Sequence, residues 1–321
     1  MSEKVKRRWM WVIPSFIILI TAAAVIFGTV GFGSQENNEP ISPKEKEHYA
    51  IFPVTLPREL DFAGEKVPLS NFDILEALDR ELLSNAYFHS QTIRLIKMSN
   101  RYFPVIEPIL EEQGIPDVFK YLAVAESGLI NAVSPANAVG FWQIRKGTGA
   151  EYGLEINSEI DERYHLEKST VAACKYLNES YEKYGNWTLA AASYNIGRRG
   201  IDREMARQKM EDYYDLLLND ETARYLFRIL ALKLIIDEPA AYGFHLSKMD
   251  LYHPVPYDTV VVNHAVEDFA DFAFEHGTNY KILKFLNPWL RDNKLVNKAG
   301  KTYIIKIPQE GFRPENSSVS E

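Results

Sequence analysis

Hydrophobic residues recur every three or four positions along most of the chain, which is the spacing of amphipathic helices. The clearest stripe runs from Ile74 to Leu83, and a second runs from Ile93 to Tyr102. The same spacing predicts helices over 104–113, 116–127, 169–184, 187–194 and 221–236. We therefore predict a mainly α-helical domain over residues 71–245.

The last part of the chain has a different pattern, in which β-branched and helical segments alternate. Strands are predicted over 257–262 and 302–308, and helices over 266–276 and 279–286. A small β-α-α-β unit is therefore expected over residues 250–310. Residues 311–321 are expected to form a disordered tail.

This small unit resembles a LysM module, because Asn287-Pro288 follows the second helix and Ile307-Pro308 lies on the closing strand. The usual Gly-Asp-Thr-Leu after the first strand is replaced by residues 263–266, Asn-His-Ala-Val. Two roles stay open at this point: a glycan-binding module and a unit that only packs on the helical domain.

The N-terminal 70 residues predict a membrane anchor followed by a tether. Residues 9–30 are uncharged, and their 22 positions could cross a hydrocarbon core of about 30 Å. A basic tip precedes this run, so we expect 1–33 to be a transmembrane signal anchor with the rest of the chain in the periplasm. A cleaved signal peptide is the alternative, but no small-residue cleavage site is clear. Prolines among charges in 34–70 predict an extended tether with little regular structure.

Composition excludes several classes of function. The formal net charge of -8 and the pI near 5.5 argue against nucleic acid as a partner, which would require a basic surface. Cys174 is the only cysteine, so no intramolecular disulfide can form, and we expect it to pack within a helix. The seven histidines show no metal-ligand spacing, and no phosphate loop is present. We expect neither a metal nor a cofactor.

A single carboxyl group has the position that a general acid needs. A helix is predicted to begin at Ile115-Pro116-Asp117 and to end at Gly128, and Glu126 lies on its apolar stripe with Phe119 and Leu122. Apolar neighbours and the negative end of a helix dipole should raise the pKa of this carboxyl. The alternative is a glutamate that reaches from the last turn into water. Ser127 could hydrogen-bond the acid, bind a ligand amide or cap the helix.

Two later motifs suit a polysaccharide ligand. Gly140 would allow the backbone to approach a ligand closely, and the Gln143 side chain could both donate to and accept from a sugar acetamide. Packing of the two intervening aromatic residues, with a surface glutamine, is the alternative. Tyr194 and Asn195 end a small apolar helix, where polar groups must find partners. A cleft that holds hydroxyls and amides would supply them.

Four motifs occur in a fixed order along the chain. They are Ala-Glu-Ser at 125–127, Ser-Pro-Ala-Asn-Ala-Val-Gly-Phe-Trp-Gln-Ile at 134–144, Ala-Ala-Ala-Ser-Tyr-Asn at 190–195 and Glu-Thr-Ala-Arg-Tyr at 221–225. In this order and spacing they resemble the SLT domain of family 1 lytic transglycosylases, over roughly 95–240. The resemblance implies a lysozyme-like, mainly helical domain. It also implies cleavage of the β-1,4 bond between N-acetylmuramic acid and N-acetylglucosamine in peptidoglycan.

The resemblance implies that Glu126 is the catalytic acid/base. It implies substrate binding by Ser127, Ser134, Gln143, Thr148, Tyr194 and Asn195, with supporting roles for Glu221 and Gly140. Glu221 is implied to support Tyr194. Two departures occur: Arg145-Lys146 replaces the Met-Pro that is common after the glutamine, and Ser193 replaces an alanine.

No second carboxylate with a motif of its own is evident. Asp117 lies at the far end of the helix, and Glu151, Glu155 and Asp161 fall in a loop-like stretch. Most glycoside hydrolases need two carboxylates, whereas the resemblance implies a reaction in which Glu126 acts as acid and then as base. We therefore expect 1,6-anhydromuramoyl ends, formed in cell wall remodelling. A hydrolysing muramidase and a non-catalytic peptidoglycan-binding protein are the alternatives.

Overall fold

The computed structural model of the protein describes residues 52–312. The predicted anchor, the first part of the predicted tether and residues 313–321 lie outside this range. Between residues 52 and 312, no helix is both long enough and apolar enough to cross a membrane.

The described chain is mainly helical, as predicted. The helices are α1 (Phe72–Tyr87), α2 (His89–Glu112), α3 (Lys120–Ser127), α4 (Lys146–Glu151), α5 (Leu166–Tyr184), α6 (Trp187–Ile196), α7 (Arg198–Gln208), α8 (Asp220–Asp237), α9 (Phe269–Glu275) and α10 (Tyr280–Leu286). The strands are β1 (Asp61–Phe62), β2 (Glu65–Lys66), β3 (Tyr257–Val262) and β4 (Tyr303–Pro308). Short 3-10 turns at Asp117–Phe119, Glu162–Tyr164, Tyr213–Asp215, Pro239–Tyr242 and Lys248–Asp250 connect them.

Helix α8 lies at the centre of the helical part and buries a broad apolar face there. It packs against α1, α3 and α6, and the fully buried Leu226 and Leu230 are among its core residues. Cys174 is buried in α5, as predicted. This packing fixes α3 and α6, the helices that carry the candidate acid and the Tyr-Asn pair.

Helix α2 is one element where two were predicted. Pro104 and Pro108 lie inside it. Each lacks the backbone N–H that a helical hydrogen bond needs, and such a loss usually ends or kinks a helix. The helix continues because Phe103, Ile106 and Leu110 remain buried on one face across both prolines. Tertiary packing outweighs the local preference here.

The last part of the predicted tether contains a short hairpin that packs on the helical part. Strands β1 and β2 form an antiparallel hairpin, and Phe62 of β1 is fully buried against Phe119. The Glu65 carboxylate accepts hydrogen bonds from the backbone nitrogens of Trp187 and Thr188, at 2.5 and 2.9 Å. Glu65 therefore caps the positive end of α6 and fastens the hairpin to the helical part.

The C-terminal unit has the predicted β-α-α-β order. Strands β3 and β4 pair antiparallel in a register that joins Val262 to Tyr303, and α9 and α10 cover one face around Phe269. The unit packs on the helical part through backbone hydrogen bonds from Asp161 to Trp289 and from Arg291 to Glu159, at 2.9 and 2.7 Å. Both parts belong to one compact unit.

Candidate active site

An open cleft of about 660 Å³ crosses the helical part. Seven of the nine predicted site residues line it: Glu126, Ser134, Gln143, Thr148, Tyr194, Asn195 and Glu221. Ser127 and Gly140 do not line it. Arg145, Tyr152 and Tyr176 are among the further lining residues that were not predicted. The cleft therefore unites motifs that lie up to 95 positions apart, counting from Glu126 to Glu221.

Helix α3 delivers Glu126 to the cleft. A 3-10 turn at Asp117–Phe119 opens the segment, so the regular helix begins at Lys120 rather than at 116 as predicted. Phe119 and Leu122 are fully buried and hold the inner face of the helix. Gly128 ends it in the left-handed conformation, with φ of 61°, as predicted. Glu126 is half-buried, with its carboxyl at the cleft rather than in open water.

The environment of Glu126 favours the protonated acid. Burial raises the pKa of the carboxyl to about 7, and the negative charge of Glu221 acts in the same direction. A hydrogen bond from Tyr225 and the positive charge of Arg228 oppose this shift. The raised pKa brings the titration of Glu126 close to neutral pH, which suits a general acid.

Tyr225 is a site residue that sequence reasoning missed. Its hydroxyl donates a hydrogen bond to Oε1 of Glu126 from the buried face of α8. The pKa of Tyr225 is raised well above its usual value, first by burial and then by the charge of Glu126, so the phenol keeps its proton. A signal was available: Tyr225 follows Glu221 by four positions, which puts both on one face of a helix.

The loop before α4 forms one wall of the cleft. Gln143 adopts a positive φ of 47°, and its amide nitrogen donates to the carbonyls of Gly140 and Ala132, at 2.8 and 3.2 Å. Phe141 and Trp142 are core residues, as the alternative interpretation held. The glutamine nevertheless lines the cleft.

The structure gives a reason for glycine at position 140 that was not predicted. A Cβ atom there would lie 2.1 Å from the carbonyl oxygen of Arg163, and the φ of Gly140 is 84°. The close approach of the Arg163 backbone therefore already requires glycine at this position. Arg163 in turn pairs with Asp161 at 2.7 Å and donates to the carbonyls of Asn137 and Ile144, at 3.1 and 3.3 Å, which fixes the wall.

The Tyr-Asn pair ends α6 at the opposite side of the cleft. The Tyr194 hydroxyl donates to the carbonyl of Trp142 at 2.8 Å, which ties α6 to the Gly-Phe-Trp-Gln loop. The Asn195 amide donates to Glu221 at 3.2 Å, and its oxygen accepts from the Thr222 hydroxyl at 2.8 Å. The expectation that Glu221 supports Tyr194 is corrected: its side chain supports Asn195.

Ser127 has the structural role that was left open for it. Its hydroxyl donates to the carbonyl of Ala123 at 3.1 Å, one turn back in α3, and does not face the cleft. Ser134 accepts from the backbone nitrogen of Ala138 at 3.0 Å and lines the cleft beside Thr148.

The three loop carboxylates considered from the sequence lie outside the cleft lining. Glu155 pairs with Lys301 at 3.0 Å and accepts from Tyr303, while Asp161 pairs with Arg163. Glu151 is exposed at the end of α4. Glu126 and Glu221 are therefore the carboxylates that the described chain brings to the cleft. Within that same part of the chain, no group of histidine, cysteine and carboxylate side chains is arranged to hold a metal ion.

A half-buried acid in a cleft between helices, opposite a Tyr-Asn pair, defines a class of domain. Residues 104–217 match the transglycosylase SLT domain, and residues 258–311 match the soluble lytic transglycosylase C-terminal LysM-like domain. The chain thus contains an SLT domain followed by a LysM-like domain. Glu126 and Asn195 lie within the SLT match, whereas Glu221 and Tyr225 follow it.

Two relatives are similar over most of this chain. They are the membrane-bound lytic murein transglycosylases D of Escherichia coli strain K12 and of Escherichia coli O6:H1. Each is 31% identical over 258 residues, which cover 78% of this chain and 55% of the relative. The chain therefore spans about half the length of these relatives.

Proposed function

We propose that this protein is a peptidoglycan lytic transglycosylase. In the proposed reaction it cleaves the β-1,4 bond between N-acetylmuramic acid and N-acetylglucosamine and leaves 1,6-anhydromuramoyl ends. The observation that carries the proposal is the state of Glu126, whose carboxyl faces the cleft and has a pKa of about 7. The SLT match and the names of the two relatives support the same class of reaction.

The proposed reaction uses one carboxyl group twice. Glu126 first gives its proton to the glycosidic oxygen, the bond from that oxygen to C1 breaks, and the N-acetylglucosamine end leaves as an alcohol. The acetamide of the substrate stabilises the positive charge on C1. Glu126, now a carboxylate, takes the proton of the C6 hydroxyl, and the C6 oxygen bonds to C1. The acid is regenerated and no water is consumed.

The cleft residues would serve this reaction in distinct ways. We infer that Tyr225 orients the Glu126 carboxyl through its hydrogen bond. Gln143 and Asn195 have amide groups at the cleft that can bind hydroxyls and acetamides of a glycan strand. Tyr194 holds the two walls together through its bond to the loop carbonyl. Together they would bind and position the strand.

A hydrolysing muramidase is the second candidate, and Glu221 is the observation that favours it. This carboxylate lines the same cleft and acts electrostatically on Glu126, so it is a possible base for water. Its oxygen is already engaged by the Asn195 amide, which favours a supporting role. The mass of the released fragments separates the two reactions, because an anhydro product is lighter than a hydrolysis product by one water.

Glu126→Gln separates an enzyme from a protein that only binds peptidoglycan. The variant removes the proton donor with little change in shape, so an enzyme should lose turnover and keep its affinity for glycan strands. Unchanged behaviour in both the turnover and the binding assay would contradict the proposed function and favour a non-catalytic anchor.

We also propose that residues 9–30 anchor the protein in a membrane, with the catalytic domain on the periplasmic side. The uncharged run and its basic flank support this placement, and the relatives are called membrane-bound. The anchor would hold the enzyme near the wall that it remodels. Release of the full chain from washed membranes by high salt alone would contradict an inserted anchor.

A further inference from the structure

The charged residues of the cleft are unevenly distributed. Among the described residues that line it, Glu126 and Glu221 are acidic and Arg145 is the one basic residue. The Arg145 guanidinium makes no ion pair or hydrogen bond with any other residue in 52–312, although most other arginines of the helical part are paired. An exposed guanidinium without a partner, at a substrate cleft, is free to bind a ligand.

The backbone around Arg145 is held on both sides, so its side chain projects from a fixed point. Before it, Ile144 exchanges hydrogen bonds with Val139 at 3.0 and 3.1 Å and accepts from Arg163. After it, the Arg145 carbonyl accepts from Gly149 at 2.8 Å and opens the first turn of α4. The position suits ligand binding because the backbone is already ordered, so binding would cost little conformational entropy.

The chemistry of a guanidinium identifies its ligand. It presents a planar fork of donors that fits a carboxylate through two parallel hydrogen bonds, and it cannot accept a bond from a hydroxyl. The chain as a whole carries a formal net charge of -8, so its general field repels an anionic polymer. A local cation at the cleft would offset that repulsion where the strand lies.

We propose that Arg145 is a specificity-determining residue that binds a carboxylate carried by the glycan strand. This inference rests on the proposed function, because it takes peptidoglycan as the polymer in the cleft. Two sources supply the carboxylate: the lactyl group of N-acetylmuramic acid when it bears no peptide, and the stem peptide when it does. Both sources present the same charge to the guanidinium. They can be distinguished by comparing strands that carry stem peptides with strands that do not.

The test compares three substrates with the wild type and two variants of the full chain in detergent. The substrates are strands with stem peptides, strands with free lactyl carboxylates, and strands whose lactyl carboxylates are converted to neutral amides. The proteins are wild type, Arg145→Gln, and the matched control Lys146→Gln. Lys146 is the adjacent exposed cation and lies outside the cleft lining. The quantity measured is kcat/KM for release of strand ends.

For Arg145→Gln, the ratio of kcat/KM on carboxylate strands to that on amide strands is expected to fall roughly 10-fold, the size of one charge-assisted hydrogen bond near water. Lys146→Gln should keep the wild-type ratio. A fall confined to peptide-bearing strands assigns the stem peptide as the source, and a fall confined to bare strands assigns the lactyl group. A ratio equal to wild type for Arg145→Gln, on both kinds of strand, would overturn the proposal.

Failure of the proposed function would be visible separately. If the wild type released no ends from any strand, the transglycosylase proposal would fail, while Arg145 would still be judged by the affinity of the same strands. Weaker binding of carboxylate strands by Arg145→Gln, with amide strands bound as by wild type, supports the inference. Equal affinities overturn it. Arg145→Lys should recover part of the preference, since it keeps the charge and loses the fork.

Discussion

The hydroxyl of Tyr225, on α8, donates a hydrogen bond to Oε1 of Glu126, at the end of α3, across 99 residues of sequence. Both helices are fixed by the buried core, so the phenol holds the carboxyl in one orientation at the cleft. The bond also favours the ionised carboxylate and thereby limits how far burial raises the pKa of Glu126. The same contact therefore acts on both the orientation and the ionisation of the acid, while burial remains the main cause of the raised pKa.

Tyr225→Phe removes this donor and leaves the ring in place. The pKa of Glu126 should then rise above about 7 because an influence that lowers it is lost. The basic limb of the pH profile of kcat/KM should move to higher pH, and the plateau should fall roughly 10-fold as the carboxyl loses its orientation. Tyr213→Phe is the matched control, because the Tyr213 hydroxyl donates only to backbone carbonyls of α8. A profile that Tyr225→Phe leaves unmoved would refute the positioning role.

Glu126→Gln should change how stability depends on pH. The folded-state pKa of Glu126 is about 7, above the ordinary value of 4.5, so the folded protein binds an extra proton between these values. Wild-type stability is therefore lost as pH rises through this window, and the glutamine variant avoids that loss. The melting temperature of Glu126→Gln minus that of wild type should therefore increase by at least about 2 °C from pH 4 to pH 8. Glu151→Gln controls for the change in net charge. A difference in melting temperature between Glu126→Gln and wild type that stays constant with pH would contradict the raised pKa.

Glu221→Gln tests whether the cleft has a second catalytic carboxylate. Glutamine keeps the oxygen that accepts from Asn195, so the local structure should persist. With Glu126 as the sole acid and base, the loss in kcat should stay well under 100-fold, whereas a muramidase that uses Glu221 as base should lose roughly 100-fold or more. The basic limb should also move to lower pH, because the negative charge that raises the Glu126 pKa is gone.

Gly140→Ala should be among the most destabilising single changes in the loop. The added methyl group would meet the Arg163 carbonyl at 2.1 Å, in a backbone conformation that alanine rarely adopts. We expect the free energy of unfolding to fall by at least about 2 kcal/mol in urea titrations. Gly147→Ala is the control, since nothing lies within 4 Å of its added Cβ and alanine favours the helix there. Equal stability of the two variants would contradict the prediction and show that the loop rearranges to accommodate the methyl group.

Local patterns predicted the elements that carry the acid and the Tyr-Asn pair, because α3 and α6 have their own apolar spacing and end at glycines. The C-terminal strands and helices were predicted for the same reason. Helix α7 was missed because its sequence is rich in arginine and shows only Gly200 and Ile201 buried. The β1-β2 hairpin was missed because strands of two residues have no period, and the burial of Phe62 depends on distant partners.

Contacts between distant segments explain the errors at the site. Gly140 appeared to need a ligand because the carbonyl of Arg163 lies 23 positions away in sequence and gives no local signal. Glu221 was assigned to Tyr194, whereas the turn of α6 presents Asn195 to it instead. Ser127 adjoins the acid in sequence, but the next position of a helix points to another face. The sequence therefore predicted which residues belong to the cleft better than it predicted which side chains contact one another.

The most direct test of the single-acid mechanism is a digest of purified peptidoglycan in water enriched in heavy oxygen, analysed by mass spectrometry. With the wild-type full chain, the account predicts 1,6-anhydromuramoyl fragments that contain no heavy oxygen, because the C6 hydroxyl of the substrate replaces water. Glu126→Gln should release no fragments. Fragments heavier by one labelled water would contradict the account and establish hydrolysis in its place.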